Sequence, residues 1–113
     1  MVAEPAGHKG RYRVWVEPEL HSQRERLPGN VRQRVKRALY ALAVDPHPPD
    51  SQPLDVTGLD LPPGVELRRL RLGKWRIVYA VNDAQGWVWA LGIRQRPPYS
   101  YQDLPDIASR LED

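Results

Sequence analysis

Two arginines are predicted to face each other across a tight β-hairpin. Residues 67–81 alternate between apolar and polar side chains on both sides of Gly73-Lys74, a pair that suits a two-residue turn. In that register Arg71 lies opposite Arg76, and Arg69 projects from the same face two residues further along. Like charges directly opposite on a sheet are destabilising, and the sequence indicates no partner that would neutralise them. A bound anion would explain this arrangement.

The next strand is expected to bring a fourth arginine to the same surface. The segment alternates again, and pairing Val81 with Trp87 places Arg94 on that face, with Gly92 across from Arg76. The opposite face is predicted to be core, formed by Trp75, Ile77, Tyr79, Val81, Trp87, Trp89, Leu91 and Ile93. A slip of one residue would scatter the arginines. Even in the predicted register, the alternative to an anion site is four solvated arginines on an exposed sheet face.

The composition indicates one small domain. Its 113 residues suffice for a modest core, with residues 1–10 expected as a flexible tail and residues 11–113 as the domain. The net charge of +3 is mild, so the placement of basic residues is more informative than their number. The lack of cysteine excludes disulfides and thiolate metal sites and fits a reducing cytoplasm. No apolar run reaches transmembrane length and no signal-peptide pattern is present, so we expect a cytoplasmic protein with no membrane partner.

The order of elements predicts an α+β fold. A strand over Arg11–Glu17 is followed by a helix over Glu19–Arg26 and, after Asn30 as N-cap, by a second helix. The apolar stripe of this second helix consists of Val31, Val35, Ala38, Leu39 and Leu42. Residues 51–64 are expected to form a loop and residues 104–111 a short C-terminal helix. We therefore expect an antiparallel β-sheet with the two N-terminal helices packed on its tryptophan-bearing face.

Several short motifs occur in a specific order along the chain. They are Leu27-Pro28-x-x-Val31-Arg32, Ala38-Leu39-x-x-Leu42-Ala43-x-Asp45-Pro46, Gln52-Pro53-Leu54, Leu70-Arg71-Leu72-Gly73-Lys74-Trp75-Arg76-Ile77-Val78-Tyr79 and Gly92-Ile93-Arg94. Each motif is weak alone. Their order and spacing over residues 11–104 resemble the RelE/ParE toxin superfamily, the toxin halves of type II toxin–antitoxin pairs. The resemblance implies the RelE/ParE toxin fold for this domain.

In RelE-like members the toxin enters the ribosomal A site and cuts mRNA by attack of the 2′-hydroxyl on the adjacent phosphate. The resemblance therefore implies a ribosome-dependent mRNA endoribonuclease that uses no metal and no cofactor. The arginines that match the family's hairpin and last-strand positions are Arg71, Arg76 and Arg94, and these are expected to be catalytic. RNA-binding contacts are expected from Arg69, Lys74, Arg96 and Tyr101. The implied partners are a cognate antitoxin, the ribosome and mRNA.

The acid–base group is expected to be a tyrosine near the end of the chain, because all three histidines precede the predicted catalytic strands. Tyr99 follows Arg94 by five positions and fits the family spacing better than Tyr101. Tyr101 could instead pack against the C-terminal helix. Nearby arginines would favour the phenolate form of either side chain.

Two other interpretations stay open. A ParE-like member would bind DNA gyrase as a protein inhibitor and would not need the arginines. A degenerate member would keep only antitoxin binding. The basic side of the second helix, formed by Arg32, Arg34, Lys36 and Arg37, is interpreted as a solvated face, with contact to ribosomal RNA or to an acidic antitoxin segment as the alternative. The four convergent arginines and the tyrosine that follows them favour the nuclease.

Overall fold

A five-stranded sheet with two helices on one face forms the described part of the protein, which in this computed structural model comprises residues 12–95 and Leu111. The elements in chain order are β1 (Arg13–Val16), α1 (Pro18–Glu25), α2 (Gly29–Val44), β2 (Ser51–Pro53), β3 (Val65–Leu72), β4 (Trp75–Asn82) and β5 (Trp87–Gln95). The strand order is β1-β5-β4-β3-β2, and β1 is parallel to β5 whereas the other neighbours are antiparallel. The predicted α+β fold is confirmed, with a mixed sheet in place of a wholly antiparallel one.

The helices cover one face of the sheet. The buried side chains of α2 are Val35, Leu39, Leu42 and Ala43, and they share a cluster with Leu20 of α1 and with Ile77, Tyr79, Val81, Val88 and Ala90 of the sheet. Asn30 is not the N-cap, because α2 begins at Gly29 and Pro28 holds the N-cap position with an extended backbone. The fixed φ of proline suits this position. The Pro28 carbonyl accepts the Arg32 N–H at 2.9 Å. Neither helix in the described residues is long and apolar enough to cross a membrane.

The pairing of β4 with β5 differs from the sequence prediction by one residue. β4 continues to Asn82, one residue further than predicted, and the Asn82 carbonyl accepts the N–H of Gly86 at 2.8 Å. The turn to β5 is therefore one residue shorter than predicted. Val81 consequently pairs with Val88 and not with Trp87. Because side chains alternate along a strand, this shift moves the first half of β5 to the opposite face.

A β-bulge at Leu91 returns the end of β5 to its predicted faces. Beyond the bulge, Arg94 pairs with Arg76, whereas the sequence predicts Gly92 opposite Arg76. Ile93 lies on the helix side of the sheet, where it joins the apolar cluster beneath α1 and α2. The bulge therefore places Arg94 on the same sheet face as the arginines of the hairpin.

The face away from the helices has its own apolar cluster. Its buried members are Leu67, Val78, Ala80, Leu91 and Leu111, and Leu54, Val56, Leu59, Leu61, Val65, Trp87 and Trp89 pack against them. The prediction that Trp87, Trp89 and Leu91 share a core with Trp75 is wrong, since the register shift turns these three side chains to this second face. The predicted C-terminal helix lies outside the described residues except for Leu111, which is buried here.

Candidate functional site

Three of the predicted arginines line an open cleft on the sheet face away from the helices. β3 and β4 pair as predicted, with Arg71 opposite Arg76 around the turn at Gly73-Lys74 and with Arg69 two residues along. Gly73 has a φ of 60°, a conformation that glycine adopts without strain. The cleft has a volume of about 160 Å³, and Pro49, Asp50 and Gln52 complete its lining.

Arg76 is the most buried of these arginines, with 9% of its surface exposed. Its Nη1 donates to the carbonyl oxygens of Gly73 at 2.8 Å and of Trp75 at 2.9 Å, which fixes the guanidinium to its own hairpin. Arg76 makes no ion pair with any of the described residues. Burying a charge is costly unless it is paired. A fixed, nearly buried cation at the wall of an open cleft is therefore suited to bind an anion.

Arg69 and Arg71 are held by neighbours on β2 and just before it. Arg69 donates from Nη2 to Oε1 of Gln52 at 2.8 Å. The backbone N–H of Arg71 donates to the carbonyl of Asp50 at 3.1 Å, and its Nη2 lies 3.9 Å from Oδ1 of the same residue. The expectation that these charges lack a partner is thus wrong in part. Among the described residues that line the cleft, three guanidiniums and one exposed carboxylate sum to a charge of +2.

Buried hydrogen bonds hold the loop whose last two residues line the cleft. The hydroxyl of Tyr79 donates to the carbonyl of Pro46 at 2.6 Å, and burial raises the pKa of Tyr79, which keeps this donor protonated. Ser51 donates to the Pro48 carbonyl from its N–H at 2.9 Å and from Oγ at 2.7 Å. Arg68 donates in turn from Nη2 to the Ser51 Oγ at 2.8 Å. These bonds fix the wall of the cleft from the helix side of the sheet.

Arg94 lies beside the cleft and is not among the residues that line it. It pairs with Arg76 in the sheet, and its Nη1 donates to the Ile93 carbonyl at 3.2 Å. The side chain folds over Gly92, where a Cβ would lie 2.7 Å from Nη1. The neighbouring backbone N–H of Ile93, beyond the end of β1, donates to Oε1 of Gln23 at 2.7 Å. Helix α1 and a glycine thus define the position of Arg94.

The fold that carries these arginines is similar to that of solved toxin structures. No protein-family model and no curated protein sequence matches the chain. Among solved structures, it is similar to the archaeal RelE–RelB complex from Pyrococcus horikoshii OT3, with 26% identity and a TM-score of 0.68 over 79% of this chain and 99% of that one. The chain has a RelE-like fold.

Two further structures share this fold at lower identity. The toxin–antitoxin complex RelBE2 from Mycobacterium tuberculosis is 20% identical, with a TM-score of 0.60 over 76% of this chain and 99% of that one. The isolated E. coli RelE toxin is 18% identical, with a TM-score of 0.52 over 88% of this chain and 97% of that one. The resemblance inferred from the sequence motifs is thereby confirmed.

The other predicted site residues of this RelE-like protein divide into two groups. Lys74 lines a cleft that adjoins the first, with its Nζ 5.6 Å from the ring centroid of Trp75. Arg96, Tyr99 and Tyr101 lie outside the described residues. In the described part of the chain, no three histidine, aspartate or glutamate side chains form a group that could hold a metal ion.

Four residues near the arginines were not predicted as site residues. They are Arg34, Pro49, Asp50 and Gln52. Gln52 lies directly opposite Arg69 because β2 pairs with β3, and Asp50 continues this pairing toward Arg71. The sequence predicts a loop for residues 51–64 because the segment is polar and rich in proline, and β2 is only three residues long. In this RelE-like sheet, a short edge strand therefore supplies one wall of the cleft.

Proposed function

We propose that this RelE-like protein is the toxin of a type II toxin–antitoxin system and that it cuts mRNA on the ribosome. The observation that carries the proposal is Arg76, a nearly buried cation without a carboxylate partner in the described residues, in one cleft with Arg69 and Arg71. A phosphate group would supply the counter-charge. Fixed guanidiniums also stabilise the charge that develops on a phosphate during reaction, and their fork geometry suits its oxygens.

The proposed reaction is a transesterification within the RNA strand. The 2′-oxygen attacks the adjacent phosphorus while its proton passes to a base, and the bond to the 5′-oxygen breaks as that oxygen takes up a proton. The products are a 2′,3′-cyclic phosphate and a 5′-hydroxyl. Arg71 and Arg76 would stabilise the nonbridging oxygens, with Arg94 adding positive charge from the next strand. Tyr99, or Tyr101 in its place, is proposed to move the proton.

The proposed toxin also needs contacts to RNA and to partner proteins. We assign RNA binding to Arg69 and Lys74, which line the clefts, and to Arg96 and Tyr101, which the family resemblance implies. A cognate antitoxin is proposed because the similar structures include a RelE–RelB complex and a toxin–antitoxin complex. An acidic antitoxin segment over the arginine cleft would neutralise it by charge complementarity. We propose that the ribosome holds the RNA in line, since one tyrosine offers little acid–base catalysis alone, and that the protein therefore acts in the cytoplasm.

Expression of the chain in bacteria without an antitoxin tests the proposal. Protein synthesis should stop first, and mRNA should be cut only where ribosomes are loaded, leaving 2′,3′-cyclic phosphate ends. Arg76→Gln should nearly abolish both effects. Arg13→Gln, an exposed arginine of the same sheet that lines neither cleft, should preserve them. A DNA-damage response with intact translation would identify a gyrase inhibitor instead, and normal growth would identify a degenerate member.

A further inference from the structure

A second cleft opens beside the first and shares one wall with it. It has a volume of about 620 Å³ and is lined by Arg34, Asp50, Arg71, Gly73, Lys74 and Arg76. Arg71, Arg76 and Asp50 line both clefts. The two clefts therefore lie side by side, and a ligand in one is adjacent to a ligand in the other.

Arg34 brings helix α2 to this second cleft. Its guanidinium lies against the hairpin turn, since a Cβ built on Gly73 would be 3.5 Å from Nη1. Gly73 carries no side chain, which leaves the turn open toward the helix. Arg34 is exposed and forms no ion pair with another described residue. The hairpin and α2 thus contribute cations to one cleft from two sides.

The charges favour two separate anions. Arg34, Arg71, Lys74 and Arg76 against Asp50 give the second cleft a local charge of +3. Asp50 lies in the wall common to both clefts, where its carboxylate repels an anion at the junction. An anion on each side of Asp50 avoids this repulsion and still contacts the shared arginines. A polymer with regularly spaced phosphates matches such a pair of positions.

We propose that the second cleft binds the phosphate next to the scissile phosphate on the same RNA strand, with Arg34 as its principal contact. This inference rests on the proposed function, because it takes the first cleft as the site of the scissile phosphate. Arg34 then fixes the position of the RNA strand along the two clefts and takes no part in the reaction itself. It is a binding residue supplied by the helix layer to a site built on the sheet.

Short RNAs that resist cleavage test this inference. The probes are a dinucleotide with one phosphate and trinucleotides with a second phosphate on either side, each with a 2′-deoxy sugar at the scissile step. Wild-type protein should bind one of the trinucleotides about tenfold more tightly than the dinucleotide. Arg34→Gln should lose this gain, whereas Arg32→Gln, on the same helix but lining neither cleft, should keep it. The plot of log affinity against log salt has a negative slope, and its magnitude should decrease by about 0.7 in Arg34→Gln, as expected for the loss of one phosphate contact on a single strand.

The results distinguish the inference from the function on which it rests. If Arg34→Gln retains the gain while ribosomal cleavage persists in the wild type, the second subsite is wrong and the nuclease proposal stands. If neither trinucleotide improves on the dinucleotide, the inference is likewise overturned. If the wild type lacks ribosomal cleavage altogether, the proposed function fails first. If Arg34→Gln weakens only the binding of an acidic peptide, the cleft takes a protein segment and the RNA subsite is rejected.

Discussion

Replacing Arg76 with glutamine should nearly abolish cleavage while lowering the stability of the fold only slightly. The reason lies in two groups of neighbours with opposite effects. Nη1 donates to two backbone carbonyls, at 2.8 and 2.9 Å, and these bonds stabilise the hairpin. Arg71 and Arg94 are its cross-strand partners on either side, and these contacts between like charges destabilise it.

The magnitudes of the two effects nearly cancel. Hydrogen bonds from a charged donor contribute about 1.5 kcal/mol each, so the two bonds account for about 3 kcal/mol. Relief of two like-charge pairs returns up to about 1 kcal/mol each. The net loss in the free energy of unfolding is therefore about 1 kcal/mol, or a fall in Tm of about 4 °C for a domain of this size. The cleavage rate, by contrast, should fall by about 100- to 1,000-fold, the usual effect of removing one donor to a developing oxyanion.

Circular dichroism melting and single-turnover cleavage on programmed ribosomes measure the two effects separately. Both are run on the wild type, on Arg76→Gln and on Arg13→Gln, the control arginine outside the clefts. Cleavage at the wild-type rate by folded Arg76→Gln would refute the phosphate-binding role of Arg76. A fall in Tm large enough to unfold the variant at the assay temperature would mean that the arginine is chiefly structural.

Stability at acid pH should depend on Asp83, because the Tyr12 hydroxyl, which donates to it at 2.7 Å, holds the pKa of this carboxyl below 3.8 against the effect of burial. A lowered pKa in the folded state stabilises the fold fully above the unfolded-state pKa, and this stabilisation is lost as the pH falls through the folded-state pKa. In Tyr12→Phe, the free energy of unfolding measured with urea should therefore depend less on pH below about pH 4. An unchanged profile would show that the Tyr12–Asp83 hydrogen bond does not contribute to acid unfolding, since His47 still contacts Asp83 at 3.1 Å in this variant. Gly92→Ala should displace Arg94, since the new Cβ would lie 2.7 Å from Nη1. The clash involves the end of a flexible side chain, so Tm should change by about 2 °C or less while cleavage falls by about 10- to 100-fold; full activity would show that the position of Arg94 is immaterial.

The hairpin was predictable because its register is fixed locally. Gly73-Lys74 sets the turn, and the polar positions of β3 make one face clearly different from the other. No such contrast exists between β4 and β5. This part of the sheet is covered by the helices on one side and by the loop of residues 54–61 on the other, so apolar side chains occur on both faces. Alternation cannot choose between two registers when both bury apolar residues.

The lining of the cleft depends on contacts between distant segments. Asp50 reaches Arg71 because Tyr79 holds the Pro46 carbonyl across a separation of 33 residues and a three-residue strand follows the loop. Arg34 reaches the hairpin because α2 packs across the sheet, although its exposed position on the helix indicates only a solvated side chain. Sequence patterns report the face on which a side chain lies within its element. They do not report which elements meet at that face.

The β-bulge at Leu91 reconciles two requirements that one regular strand cannot meet together. Trp87 and Trp89 pack on the face away from the helices, and Arg94 must reach that same face to join Arg76. Position 94 differs from positions 87 and 89 by an odd number, so in a regular strand the arginine would point to the helix side, where an unpaired charge would be buried at high cost. One extra residue reverses the alternation between the apolar half of β5 and its charged end. The bulge therefore lets a single strand contribute indoles to the second core and an arginine to the proposed phosphate site on one surface.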